Sequence, residues 1–180
     1  MKPKTWKVCF FMAGLVLPAS CGAWRLAVGG GLLAGLVPGT ALGWQFTGQW
    51  TRSTYAQQRW LVDANISQYG TQATTSEWRE RGRETSLLVF WEHRAPFSYA
   101  FRPWIGIGGG ISHYRLDDRQ LLNGAGYAIA SYPAIVKNDG DLAIDMTVPL
   151  TSSWSLAVTA QTGFPSRIST VSMTVLWRFW

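Results

Sequence analysis

Ser169-Thr170-Val171-Ser172-Met173-Thr174-Val175-Leu176-Trp177-Arg178-Phe179 closes this 180-residue chain, one position before Trp180. Val171, Met173, Val175, Trp177 and Phe179 fall at every second position, with Thr170, Ser172, Thr174 and Arg178 between them. The side chains of a strand switch faces at each residue, so this segment offers one face to lipid and the other to a polar interior. The pattern is that of a membrane strand, and it makes the chain a candidate transmembrane β-barrel.

The other end of the sequence agrees. Residues 1–23 place Lys2, Lys4 and Lys7 before an apolar run from Val8 to Leu17, followed by Pro18 and the small residues Ala19, Ser20, Cys21, Gly22 and Ala23. A basic region, an apolar core and a small-residue cleavage zone form a secretory signal peptide, and the run is too short for a permanent helical span. Cleavage near Ala23 leaves a barrel domain of residues 24–180. The alternative, a lipoprotein acylated at Cys21, has Pro18 where such signals place Leu.

Losing the signal changes the composition. Cys9 and Cys21 leave with it, so no disulfide or cysteine metal site is expected. The three signal lysines lower the formal charge from +6 to +3, which removes most of the case for nucleic acid as a partner. The 11 tryptophans point instead to membrane interfaces, where an apolar ring with an N–H at its edge is at home.

About 157 residues form one domain and accommodate eight strands of roughly 9 to 11 residues. No apolar run of 18 residues follows the signal, so helical spans are excluded. Outward rows are expected at Trp24, Leu26, Val28 and Leu32; at Trp44, Phe46 and Trp50; at Trp60, Val62, Ala64 and Ile66; and at Thr85, Leu87, Val89 and Trp91. A fifth strand spans Phe101 to Arg115. Two further rows are Leu142, Ile144, Met146 and Val148, then Trp154, Leu156, Val158, Ala160 and Phe164. Polar residues 71–82 read as an exposed loop, and Leu116 to Gly140 as the longest irregular segment, with Asp117, Asp118, Asn123, Gly124, Pro133, Asn138, Asp139 and Gly140 as breakers. The middle of that segment, Ala125 to Val136, is apolar and β-prone, suited to extending the wall above the membrane. Turns near 53–58, 94–100 and 151–153 then lie on the periplasmic side, and segments near 34–42, 70–82, 116–140 and 164–167 lie outside.

Alternation alone also fits a soluble lipocalin-like barrel of inverted polarity. Rows of Gln, Thr, Ser and Gly suit a narrow wet lumen, and apolar rows ending in aromatic residues suit interfacial girdles, so the membrane reading is preferred.

Two motifs carry a resemblance. The ending is similar to the C-terminal strand by which the barrel-assembly machinery recognises bacterial outer-membrane proteins, with Phe179 as the terminal aromatic and Trp180 one residue beyond. Arg102-Pro103-Trp104-Ile105-Gly106-Ile107-Gly108-Gly109-Gly110 resembles an Arg-Pro-aromatic-apolar-Gly-x-Gly strand of small outer-membrane barrels, whose glycines make room for large neighbours in a narrow lumen. The chain thus resembles the eight-stranded OmpX/OmpA-like barrels, which implies an integral outer-membrane protein in contact with lipid and lipopolysaccharide. A more distant likeness is to lipid A 3-O-deacylase barrels. Their His-x-Ser-Asn motif would fall on Ala160-Gln161-Thr162-Gly163-Phe164, which has neither His nor Ser, so no catalytic residue is assigned.

Chemistry is sparse elsewhere. His93 falls at the end of the fourth strand beside a turn, and Ser112 and His113, being adjacent on a strand, point to opposite faces. Arg25, Arg59, Asp63, Glu84, Glu92, Arg102, Asp145 and Arg178 are candidates for a lumen charge network, since buried charges must be paired. They predict a plugged interior rather than a pore. Arg79, Arg81 and Arg83, beside Trp78 on the second outer loop, are candidates for lipopolysaccharide phosphates, which a guanidinium binds bidentately. A surface protein is an alternative partner for the same loops, lipid A modification is the alternative function, and no cofactor is implied.

Overall fold

The computed structural model describes residues 24–35, 40–72, 78–97, 102–123, 127–165 and 168–179. The proposed signal peptide lies outside the described residues. The strands are β1 (Arg25–Gly35), β2 (Thr40–Tyr55), β3 (Gln58–Gln72), β4 (Trp78–Arg94), β5 (Trp104–Leu122), β6 (Ala128–Tyr132), β7 (Ile135–Pro149), β8 (Trp154–Phe164) and β9 (Ser169–Phe179). Eight of them form an antiparallel ring in the order β1-β2-β3-β4-β5-β7-β8-β9, closed where β9 pairs with β1 from Leu26↔Phe179 to Gly35↔Thr170. Closure leaves every membrane-depth backbone group with a partner, the condition for crossing a bilayer with strands. Among the described residues no helix is long and apolar enough to cross.

The register fixes the barrel's shape. Opposed residues followed once round the ring from Arg59 run through Glu92, Gly106, Asp145, Thr159, Ser172, Leu33 and Gly43 and return to β3 at Tyr69. The path returns ten residues beyond its start, at 69 rather than 59. Strands staggered in this way tilt about 40° to the barrel axis, and eight of them enclose a lumen that side chains can fill.

Burial decides which face meets lipid. Ile107 and Ile111 are each 67% exposed on the outside, while Leu61, Leu88 and Phe90 are fully buried within. Gln45, Thr47, Gln49, Asp63, Asn65 and Ser67 line the interior in the same alternation. The outward residues Trp44, Phe46, Trp50, Trp91, Trp154, Trp177 and Phe179 are exposed, so the polarity is that of a membrane barrel and not of a lipocalin. At the inner end, which carries the short turns at 56–57 and 150–153, Trp154 and Trp177 stack with centroids 6.4 Å apart and Phe179 lies 4.6 Å from Trp177, forming part of an aromatic girdle.

Glycine makes the filling possible. A Cβ on Gly108 would meet the Phe90 ring at 2.7 Å, and one on Gly82 would meet the Tyr69 ring at 2.6 Å. Gly108 on β5 thus leaves room for Phe90 of β4, and Gly82 on β4 for Tyr69 of β3.

Two sequence expectations are corrected. Residues 71–82 are not one loop: β3 runs to Gln72 and β4 begins at Trp78, so Arg79, Arg81 and Arg83 stand on a strand. Nor are 116–122, 128–132 and 135–140 irregular. β5 continues from Trp104 to Leu122, beyond the expected end at Arg115, and β6 and β7 follow almost without a gap. Arg119↔Tyr132 and Leu116↔Ile135 keep the same register, so β6 and β7 are one strand interrupted at Pro133, which has no N–H for the ladder. Asp117 and Asp118 are accommodated by a bulge. Arg79 faces Gln120 while Arg81 faces Asp117, and Asp118 takes a positive φ of 53°, which Asp tolerates.

Candidate functional site

Three groups of polar side chains stand out, two inside the barrel and one on its rim. In the inner half of the lumen Arg59 on β3 faces Glu92 on β4. Its Nε donates to Glu92 Oε2 at 2.5 Å and its Nη2 donates to Oε1 at 3.2 Å, with Glu92 fully buried. Nearby, Asp63 accepts from the Thr47 hydroxyl and, at 3.3 Å, from Gln49 Nε2. Asp145 accepts from Thr147 at 2.8 Å and Thr159 at 2.7 Å. Each carboxylate oxygen here has a donor, as a low-dielectric interior demands.

Arg178 closes this end by donating from Nη2 to the carbonyls of Thr151 (2.9 Å) and Trp154 (3.0 Å) in the β7–β8 turn. Arg25, exposed at the start of β1, shares the inner mouth with Arg59 and Arg178. Arg102 is exposed and precedes β5. The structure thus brings Arg59, Glu92, Asp63 and Asp145 together, and sets Arg25, Arg102 and Arg178 at the margins.

The outer half is different. Glu84 stands with Asp139 and Asp141 around a small cavity also lined by Ser112, Tyr114 and Gln161. Gln161 Nε2 donates to Glu84 Oε1, and Ser112 Oγ donates to Asp141 Oδ1 at 3.1 Å. Tyr69 packs against Tyr114 at 6.0 Å between ring centroids, with Leu33, Leu116 and Ile168 around them, and roofs the chamber. The apolar cluster of Leu61, Leu88, Phe90 and Ala143 fills the lumen beneath.

On the rim, Arg83 and Arg115 occupy directly opposed positions on β4 and β5. Glu84 and Tyr114 beside them are buried, so both arginines point outward, where they are more than half exposed. Asp117 accepts from Arg115 Nε at 2.6 Å and lies 3.8 Å from Arg83 Nε; Arg81 lies 3.5 Å from Asp118. Thr85 and His113 form the next outward pair, and Leu87 and Ile111 the next, so the arginines sit just above the apolar belt. Arg115 was not among the sequence candidates, because only the β4–β5 register reveals that it faces Arg83.

The histidines do not assemble a hydrolytic site with Ser112. His113 points outward with Nδ1 2.8 Å from Asn138 Oδ1, while Ser112 points inward to Asp141. His93 is exposed at the inner end of β4.

No family model and no curated protein matches the chain. Solved structures do. Ail, the attachment invasion locus protein of Yersinia pestis, solved in complex with the heparin analogue sucrose octasulfate, superposes with a TM-score of 0.56 over 88% of this chain and 99% of its own, at 7% identity. OprG from Pseudomonas aeruginosa gives 0.54 at 10% identity, covering 88% and 97%. A major outer membrane protein from Thermus thermophilus gives 0.54 at 10% identity, covering 87% and 100%. The fold is that of small integral outer-membrane β-barrels.

Proposed function

We propose that this small outer-membrane β-barrel is a closed structural or surface-interaction protein whose outer rim binds lipopolysaccharide phosphates. The observation that carries the reading is the direct opposition of Arg83 and Arg115 on the outward face, with Arg79 and Arg81 continuing the row on β4. Like charges directly opposite destabilise a sheet, and a bridging anion removes the repulsion. Asp117 supplies part of that compensation, and Asp118 lies 3.5 Å from Arg81, so among the described residues Arg81, Arg83 and Arg115 share two aspartates and an excess of positive charge remains. A phosphate on a lipid headgroup at this depth accepts bidentate hydrogen bonds from a guanidinium while its acyl chains lie along Leu87 and Ile111. The filled lumen favours a structural barrel over a conducting one, and β9 is the segment the assembly machinery would read.

The test is binding of lipopolysaccharide to the barrel refolded in vesicles. Arg83→Ala with Arg115→Ala should weaken binding about 10- to 100-fold, the loss expected for two charge-assisted contacts, with heat-modifiable gel migration unchanged. Equal binding by the variant would sink the proposal. An acyl gain or loss in lipid A from expressing cells would point to the enzymatic alternative.

A further inference from the structure

We propose that the outer half of the lumen binds one hard cation, calcium by its ligand chemistry, between Glu84 and Asp141. Both residues are more than nine-tenths buried. Among the described residues Glu84 Oε2 and Asp141 Oδ2 have no hydrogen-bonding partner, and both side chains line the cavity shared with Ser112, Tyr114, Asp139 and Gln161. Among the described residues no Lys or Arg lines it. Lys137, on the same side of β7 as Asp139 and Asp141, is exposed. A buried carboxylate oxygen without a donor is costly, and the inner half of the same lumen meets that need with Arg59. The outer half has room for one water-sized occupant in the equivalent role.

The ligand set selects the ion. Carboxylate, hydroxyl and amide oxygens are hard donors, and neither His nor Cys lines the cavity, which disfavours zinc, copper and iron. Calcium accepts six to eight oxygens in irregular geometry, whereas magnesium demands near-ideal octahedral geometry. Among the described residues no three acidic, histidine or cysteine side chains are gathered closely enough to cage a metal. Two carboxylates with neutral oxygens therefore give weak binding, with a dissociation constant on the order of 10⁻⁴ to 10⁻³ M. Tyr114 forms part of the wall and Tyr69 packs on it, so the ion exchanges only when this roof opens.

The experiment uses the folded barrel in a zwitterionic detergent free of lipopolysaccharide, stripped with chelator and dialysed against radioactive calcium. One ion per chain and a thermal midpoint raised by calcium are expected. Glu84→Gln with Asp141→Asn, which keeps shape and hydrogen-bonding capacity, should bind none and lose the calcium response, while Asp117→Asn on the rim should retain both. Should the double variant fail to show heat-modifiable migration, each single variant should weaken uptake at least 10-fold. Absence of calcium uptake by the natural chain, or full uptake by the double or single variants, overturns the proposal.

Discussion

In the inner half of the lumen Glu92 receives two nitrogens of Arg59, whereas in the outer half Glu84 receives the amide of Gln161. The halves otherwise use the same materials: carboxylates on β4 and β7, hydroxyls on neighbouring strands, and an aromatic or aliphatic filler from β4 or β3. The difference is a cation built into the chain. Arg59 stands over the Trp104 ring at 4.5 Å as well as against Glu92, so it is held by two kinds of contact. The outer chamber is roofed by tyrosines instead, and among the described residues no Lys or Arg lines its wall. One half is therefore built for stability, and the other has capacity left for a ligand.

The sharpest way to break this contrast is Arg59→Ala. Removing one partner of a buried pair leaves Glu92 charged beside Asp145 with no donor, and costs about 3–5 kcal/mol. Urea unfolding of the refolded barrel measures it. A loss below about 1 kcal/mol would mean that the inner network is as loosely held as the outer one.

A smaller effect is expected at the roof of the outer chamber. In Gly82→Ala the new Cβ would stand 2.6 Å from Tyr69 Cε2, so the ring must move. Overpacking of this kind costs about 1–3 kcal/mol, and displacement of Tyr69 from Tyr114 should also speed calcium exchange. Unchanged stability together with unchanged exchange would show that the tyrosine pair is not the lid of the chamber.

How much of this was legible beforehand follows from what a strand pattern encodes. Alternation assigns faces, so Val171 to Phe179 outward, Asp63 inward and Glu84 and Glu92 inward could all be read from residues two apart. Pairing is a different kind of information. Arg59 and Glu92 are 33 residues apart, and their meeting depends on the register between β3 and β4. The opposition of Arg83 and Arg115 depends likewise on the β4–β5 register, which runs unbroken from Arg94↔Trp104 to Arg81↔Asp117, short of the bulge at Asp118. That bulge also explains why Asp117 and Asp118 read as loop residues: an aspartate that tolerates positive φ serves a turn and a bulge equally well. Leu61, Leu88, Phe90 and Leu176 lie on the inward face that the polar rows had marked as wet. The available signal was the run of glycines on β5, since a lumen lined there by Gly106, Gly108 and Gly110 needs bulky residues opposite.

The mildest substitution separates the two halves most cleanly. Without calcium, Glu84→Gln removes a charge that has no counter-charge among the described residues of the cavity wall and keeps an oxygen for the Gln161 amide. Replacing a poorly compensated buried charge by a neutral isostere is close to neutral or slightly stabilising, within about 1 kcal/mol. Glu92→Gln, at the matched position on the same strand, removes the acceptor of a bidentate bond and leaves Arg59 without its counter-charge, so it must cost more. Paired unfolding curves of the two variants in chelator decide the matter. If Glu84→Gln proves as damaging as Glu92→Gln, the outer carboxylate already has its compensation within the protein, and no ion is required to explain its burial.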